Sequence, residues 1–249
     1  QTGGQLSPLG FAACRSKNCT NITKTKNIME NQHKKSNQLS LLNIIVIVCY
    51  LCLLVGTPIS VLNFWTNGEN EVLNQLWVIP ACTPLLLAAI WWLSREAFAT
   101  SATYLRRCFA CMTLAYVITF ITRIVPTDYT EVSVQTMIAI IAYGISGIIA
   151  FVASIMISVR LIRHYTGSKH TLGIVIIAGL VTNILCSLVQ GIYPIVAEAD
   201  VQTVKTIHSV CTVISTAIFA VTVYYLHDIV KETEAAKLST GTEETGETA

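Results

Sequence analysis

The six longest apolar runs of this 249-residue sequence contain no Asp, Glu or Lys. An ionisable group at membrane depth marks ion or proton chemistry by default, so its absence is informative. It excludes a carboxylate proton relay and aspartyl intramembrane proteolysis, and without a mid-span lysine a retinal Schiff base is excluded as well. Charged residues make up 12% of the chain, about half the roughly 25% of soluble domains. His-Glu-x-x-His, Gly-x-Ser-x-Gly, the phosphate-binding Gly-x-x-x-x-Gly-Lys and Gly-x-Gly-x-x-Gly are all missing, so no catalytic, metal or cofactor-binding residue is assigned and the chain is expected not to be an enzyme. The formal net charge of +2 is too small to point to a nucleic acid. Alternating strand segments of about ten residues, as a membrane barrel needs, are also absent.

What remains is apolar. Hydrophobic residues are 53% of the sequence, and the mean hydropathy is +0.61. Runs of about 20 residues suffice to cross the hydrocarbon as helices, and six can be read: 41–63, 74–94, 108–125, 133–158, 172–196 and 207–227. Lipid offers backbone amides no partner, so each must be helical. The fold class is therefore all-α: a polytopic membrane protein of six transmembrane helices in three hairpins, with the lipid bilayer as its first partner. Three regions follow: an N-terminal segment at 1–40, the membrane domain at 41–230 and an acidic, disordered tail at 231–249. Residues 1–28 lack apolar periodicity and resemble a linker; native translation is expected to begin at Met29.

Lys and Arg are lopsided about the spans. One side carries Lys34, Lys35, Arg95, Arg106, Arg107, Arg160, Arg163, Lys169, Lys231 and Lys237; the other has only Arg123 and Lys205. The second side's loops hold acids instead, among them Glu69, Glu71, Asp128, Glu131, Glu198 and Asp200. The positive-inside rule then places both termini in the cytoplasm of a cell-membrane protein. The triplets Asn18-Cys19-Thr20 and Asn21-Ile22-Thr23 would lie on that side, where they are not glycosylated.

Pro58, Pro126 and Pro194 are spaced by 68 residues, as are Arg95, Arg163 and Lys231. The hairpins 39–106, 107–174 and 175–237 could thus form a tandem repeat. Val-Gln-Thr at 134–136 and again at 201–203 adds to the pattern. Regular hairpin length explains the spacing better, because the first hairpin lacks the triplet and proline is common at helix ends. The Pro-x-acid-x-x-basic signature of three-repeat carriers is missing at all three prolines.

Ala142, Ser146, Ala150, Ser154 and Ser158 place a small residue at every fourth position of the fourth span. Such a ridge lets another helix approach closely in lipid, within the chain or in a homo-oligomer or membrane partner. Pro80 and Pro84 should loosen the second span and free carbonyls that need a donor. Cys49 and Cys52 lie roughly 12 and 16 Å deep at 1.5 Å per residue, whereas Cys108 and Cys111 stay within about 6 Å of the surface. The two pairs therefore read as buried thiols and not as a metal site.

The fifth span is the most polar. Asn183, Ser187 and Gln190 follow helical spacing and share a face that should turn from lipid. Arg123 and His208 fall at similar depth, and the five together would make an outward-facing polar pocket. Interhelical hydrogen bonding is the plainer account of the stripe, Arg123 reads as snorkelling or pairing with Asp128, and His208 as an interfacial residue. The leading functional expectation is a small-solute permease or exporter-like protein. The alternative is a non-catalytic scaffold or accessory subunit that binds a partner through the small-residue ridge.

Overall fold

The computed structural model describes residues 39–67, 69–98, 103–124, 133–196 and 200–246. Residues 1–38, Met29 among them, and Pro126, Asp128 and Glu131 lie outside the described residues. Among the described residues all regular structure is helical. The helices are α1 (Leu39–Trp65), α2 (Glu71–Gln75), α3 (Val78–Ser94), α4 (Thr103–Ile124), α5 (Val134–His164), α6 (Ser168–Val196) and α7 (Val201–Gly246). Six segments are long and apolar enough to cross a membrane: α1, α2 with α3, and α4 to α7. The chain is a multi-pass membrane protein. Its ends are named here by charge: Arg95, Arg163 and Lys231 lie at the basic end, Glu69 and Asp200 at the acidic end.

In the compact unit from residue 42 onward, α3, α4, α5, α6 and α7 each pack on the next in sequence. The ring closes through α1. On one side Gly56 brings α1 within 3.3 Å of the Pro80 backbone, measured from where a Cβ would stand. On the other, α1 runs antiparallel to α7 along a seam of polar contacts. Asn43 meets His227 at 2.6 Å, Tyr50 donates to the Ala220 carbonyl at 3.0 Å, and Thr57 donates to Thr216 at 3.1 Å. Phe64 then lies against the His208 ring, 4.1 Å between centroids. These α1 residues recur every seventh position, the spacing that keeps one helical stripe on a neighbouring helix.

The small-residue ridge packs inside the chain. Ser146 hydrogen bonds with Thr119 of α4 at 3.2 Å, and Ser154 donates to Met112 Sδ at 3.7 Å. Ser158, fully buried, faces Gly173 of α6, where an added Cβ would sit 3.1 Å from the Ser158 carbonyl and 2.9 Å from Ile162. The ridge thus holds α4 on one flank and α6 on the other.

Each Val-Gln-Thr follows an N-cap. Ser133 accepts from the Thr136 amide at 3.1 Å, and Asp200 Oδ1 accepts from the Thr203 amide at 2.8 Å. The triplet therefore fills the first helical turn of α5 and of α7 after a capping side chain.

The last helix departs from expectation in two ways. It begins at Val201, ahead of the apolar run at 207, because Asp200 caps it there. It also continues to Gly246, well past the apolar run that ends at 227. Glu, Ala, Lys and Leu in "ETEAAKL" are strong helix formers, and an apolar helix already runs into them, which removes the cost of nucleation.

Gly173→Val should lower stability by about 1–3 kcal/mol through overpacking, seen as a reduced thermal midpoint in detergent. Gly144→Ala, with nothing within 4 Å of its added methyl, should instead stabilise by up to roughly 1 kcal/mol. The Thr203 hydroxyl and amide hold the Asp200 carboxyl below the usual carboxylate range. Its cap is therefore complete above that range and is lost as pH falls through the lowered value. Hydrogen exchange at the start of α7 should show that acid loss in the wild type and not in Asp200→Asn.

Candidate functional site

Proline sets the geometry of the site. Pro84 lies inside α3 and has no N–H, so the carbonyl four residues earlier, on Pro80, loses its helical donor. Arg123, in the last turn of α4, replaces it: Nη1 donates to the Pro80 carbonyl at 3.3 Å. The side chain is thus turned toward α3, and the pairing with Asp128 concerns a residue outside the described set. Pro194 repeats the effect inside α6, where it withdraws the donor from the carbonyl of Gln190.

Between the helices lies a cavity of about 940 Å³, lined by all six spans. Asn183, Ser187, Gln190, Arg123 and His208 all line it, so the five residues grouped from sequence share one site. They are not equally free. Asn183 Oδ1 accepts from Ser215 of α7 at 2.8 Å, an interhelical bond of the plainer kind. His208 is stacked on Phe64. Among the described residues, Ser187 and Gln190 make no side-chain hydrogen bond, and Ser187 is exposed within the bundle.

Several lining residues escaped the sequence reading. Ser146, Ala150 and Ser154 line the cavity as well as packing helices. Thr212, Ser215, Thr216 and Thr222 of α7 form a hydroxyl stripe opposite Asn183. Their helical spacing was visible in sequence, yet helical hydroxyls also bond their own backbone. Thr212 does so with His208 at 2.8 Å and Thr216 with Thr212 at 2.9 Å, so hydroxyls alone do not identify a polar face. Thr57, Tyr116 and Thr119 complete the wall from α1 and α4.

No family model, curated protein or solved structure matches this chain. The site must be read from its own chemistry. Among the described residues, no cluster of three His, Cys, Asp or Glu side chains is placed to hold a metal ion.

The two ends of the cavity differ. Toward the basic end its lining stops at Trp91, Met112, Ser154 and Leu226. Below them the bundle is filled. Trp91 meets Phe109 edge-on with centroids 5.0 Å apart, and Phe98 lies 4.7 Å from Phe109. Leu105, Leu161, Leu172 and Ile229 are fully buried around these rings. Toward the acidic end the lining reaches Arg123, Gln190 and His208. A second space of about 630 Å³ shares Ser60 and His208 with the first, and the buried Asn63 Oδ1 that helps line it has no partner. Together they form a space of mixed polar and apolar lining, plugged at the basic end by aromatic and aliphatic side chains.

The Arg123–Pro80 contact should register in a double-mutant cycle. Pro84→Ala restores an N–H to compete for the Pro80 carbonyl. Arg123→Leu should therefore cost about 0.5–1 kcal/mol less stability in the Pro84→Ala background than in the wild type.

Proposed function

We propose that this protein is a small-solute permease or exporter-like carrier, and not an enzyme. The observation that supports the reading most is the cavity of about 940 Å³ between six membrane-spanning segments. Ligand sites of roughly 300–1,000 Å³ accommodate drug-sized molecules, with a few polar groups among apolar walls. Trp91, Phe151 and Phe219 supply apolar wall here, and Ser187 and Gln190 supply unengaged polar groups. A cavity between the spans that is closed by packed side chains at one end is the form one state of an alternating-access carrier would take. With the basic end in the cytoplasm of a cell-membrane protein, as the charge bias favours, that state would face outward.

The scaffold reading has less behind it. It relied on the small-residue ridge, and Ser146, Ser154 and Ser158 are buried within their own bundle. A homo-oligomer or membrane partner would have to use another face.

The test uses the purified full chain with a panel of a sugar, an amino acid and an organic acid. A ligand at 100 times its Kd should raise stability by about 2.7 kcal/mol and enter proteoliposomes that contain the protein. Ser187→Trp fills the cavity from an exposed position that makes no hydrogen bond among the described residues. It should fold normally and abolish both effects. A panel that neither shifts the wild-type transition nor enters the vesicles would count against a carrier.

A further inference from the structure

We infer that the cavity selects organic anions, with Arg123 as the residue that recognises the anionic group; this rests on the solute-cavity reading above. The first support is the charge of the lining. Among the described residues it contains one formal cation, Arg123, and no Asp or Glu. The other polar groups around it are hydroxyls, amides, thiols and the His208 imidazole, so the guanidinium is the one permanently charged group of the described lining.

The second support is how Arg123 is held. Arg123 is exposed where it meets the cavity lining, and the usual anchor of such an arginine is a carboxylate, which orients the fork and cancels the charge. Here the anchor is the Pro80 carbonyl at 3.3 Å. A carbonyl orients the guanidinium but carries no formal charge, so no described carboxylate cancels the positive charge at the cavity wall. Among the described residues the ion pairs are Arg95–Glu96 and Arg106–Glu96, both at the basic end. The other cation of the acidic end, Lys205, donates to the Trp65 carbonyl at 2.8 Å and lines the smaller space instead.

The third support is the supply of donors that remains. One Nη1 contact to Pro80 leaves further guanidinium N–H groups, and a guanidinium has five in a planar fork that matches a carboxylate or phosphate. Gln190 lines the same space and has an amide N–H₂ to add. Deeper in, Trp91 and Phe151 offer wall for an apolar body. The matching ligand is an amphiphilic organic anion: charged head at Arg123, hydrocarbon or ring toward the plugged end.

Three probes of one shape and different charge test this: benzoate, benzyl alcohol and benzylamine, titrated against the full chain in nanodiscs of neutral lipid. Benzoate should bind at least tenfold tighter than the alcohol, and the amine weakest. Arg123→Gln should reduce benzoate affinity tenfold or more and leave the alcohol unchanged. Arg123→Lys keeps the charge and loses the fork, so it should fall between; it also serves where Arg123→Gln does not fold. Alcohol or amine binding as tightly as benzoate would overturn anion selection and leave the solute cavity standing. A benzoate preference that survives in Arg123→Gln would overturn the role of Arg123. Failure of all three probes to bind would overturn the inference together with the cavity reading.

Discussion

A carbonyl in a membrane-spanning helix that loses its N–H needs another donor, from protein or from water in a cavity. Pro84 creates that situation at Pro80, and the donor that answers it is Arg123 on the next span. The consequence extends beyond one hydrogen bond. The same contact ties α4 to the proline-weakened start of α3 and holds Arg123, in the last turn of α4, against the cavity lining. An arginine that would otherwise snorkel to the headgroups becomes part of a cavity.

The rest of the bundle follows from the same rule applied to side chains. Hydroxyls that face the interior bond to the carbonyl one turn back or to a hydroxyl across the interface, as Thr57 does with Leu53 and Thr216. Small residues let helices approach where the ring must be tight, as Ser158 and Gly173 do near the basic end. Large aromatics fill that end, with Phe98 and Phe109 fully buried. Toward the acidic end the facing residues are small and polar, so the helices enclose space they do not fill. The cavity is thus a result of graded side-chain volume along the spans.

The recurrent Val-Gln-Thr shows how one local pattern can carry two meanings. In sequence it suggests duplication, since it recurs at the start of two return spans. In the structure both copies occupy the first turn after a capping Ser133 or Asp200. A capped helix start is useful wherever an apolar helix re-enters lipid after a loop, and both copies stand in that place.

The sequence by itself determined the class, the number of spans and the sides on which charge falls, because hydrocarbon excludes charge and unpaired backbone over a known thickness. It also determined that Asn183, Ser187 and Gln190 share a face, because helical periodicity is local. The tertiary structure decided what those faces meet: that α7 returns to α1, that the small-residue ridge is spent within the chain, and that the five polar residues surround one cavity. It also carried α7 to Gly246, beyond the end of its apolar run. Arg123 marks the boundary between the two. Its position in the last turn of α4 was legible, but its partner was a backbone carbonyl 43 residues away. Every residue carries a carbonyl, so only the packing of α3 on α4 decides which one is left without a donor within reach of the guanidinium.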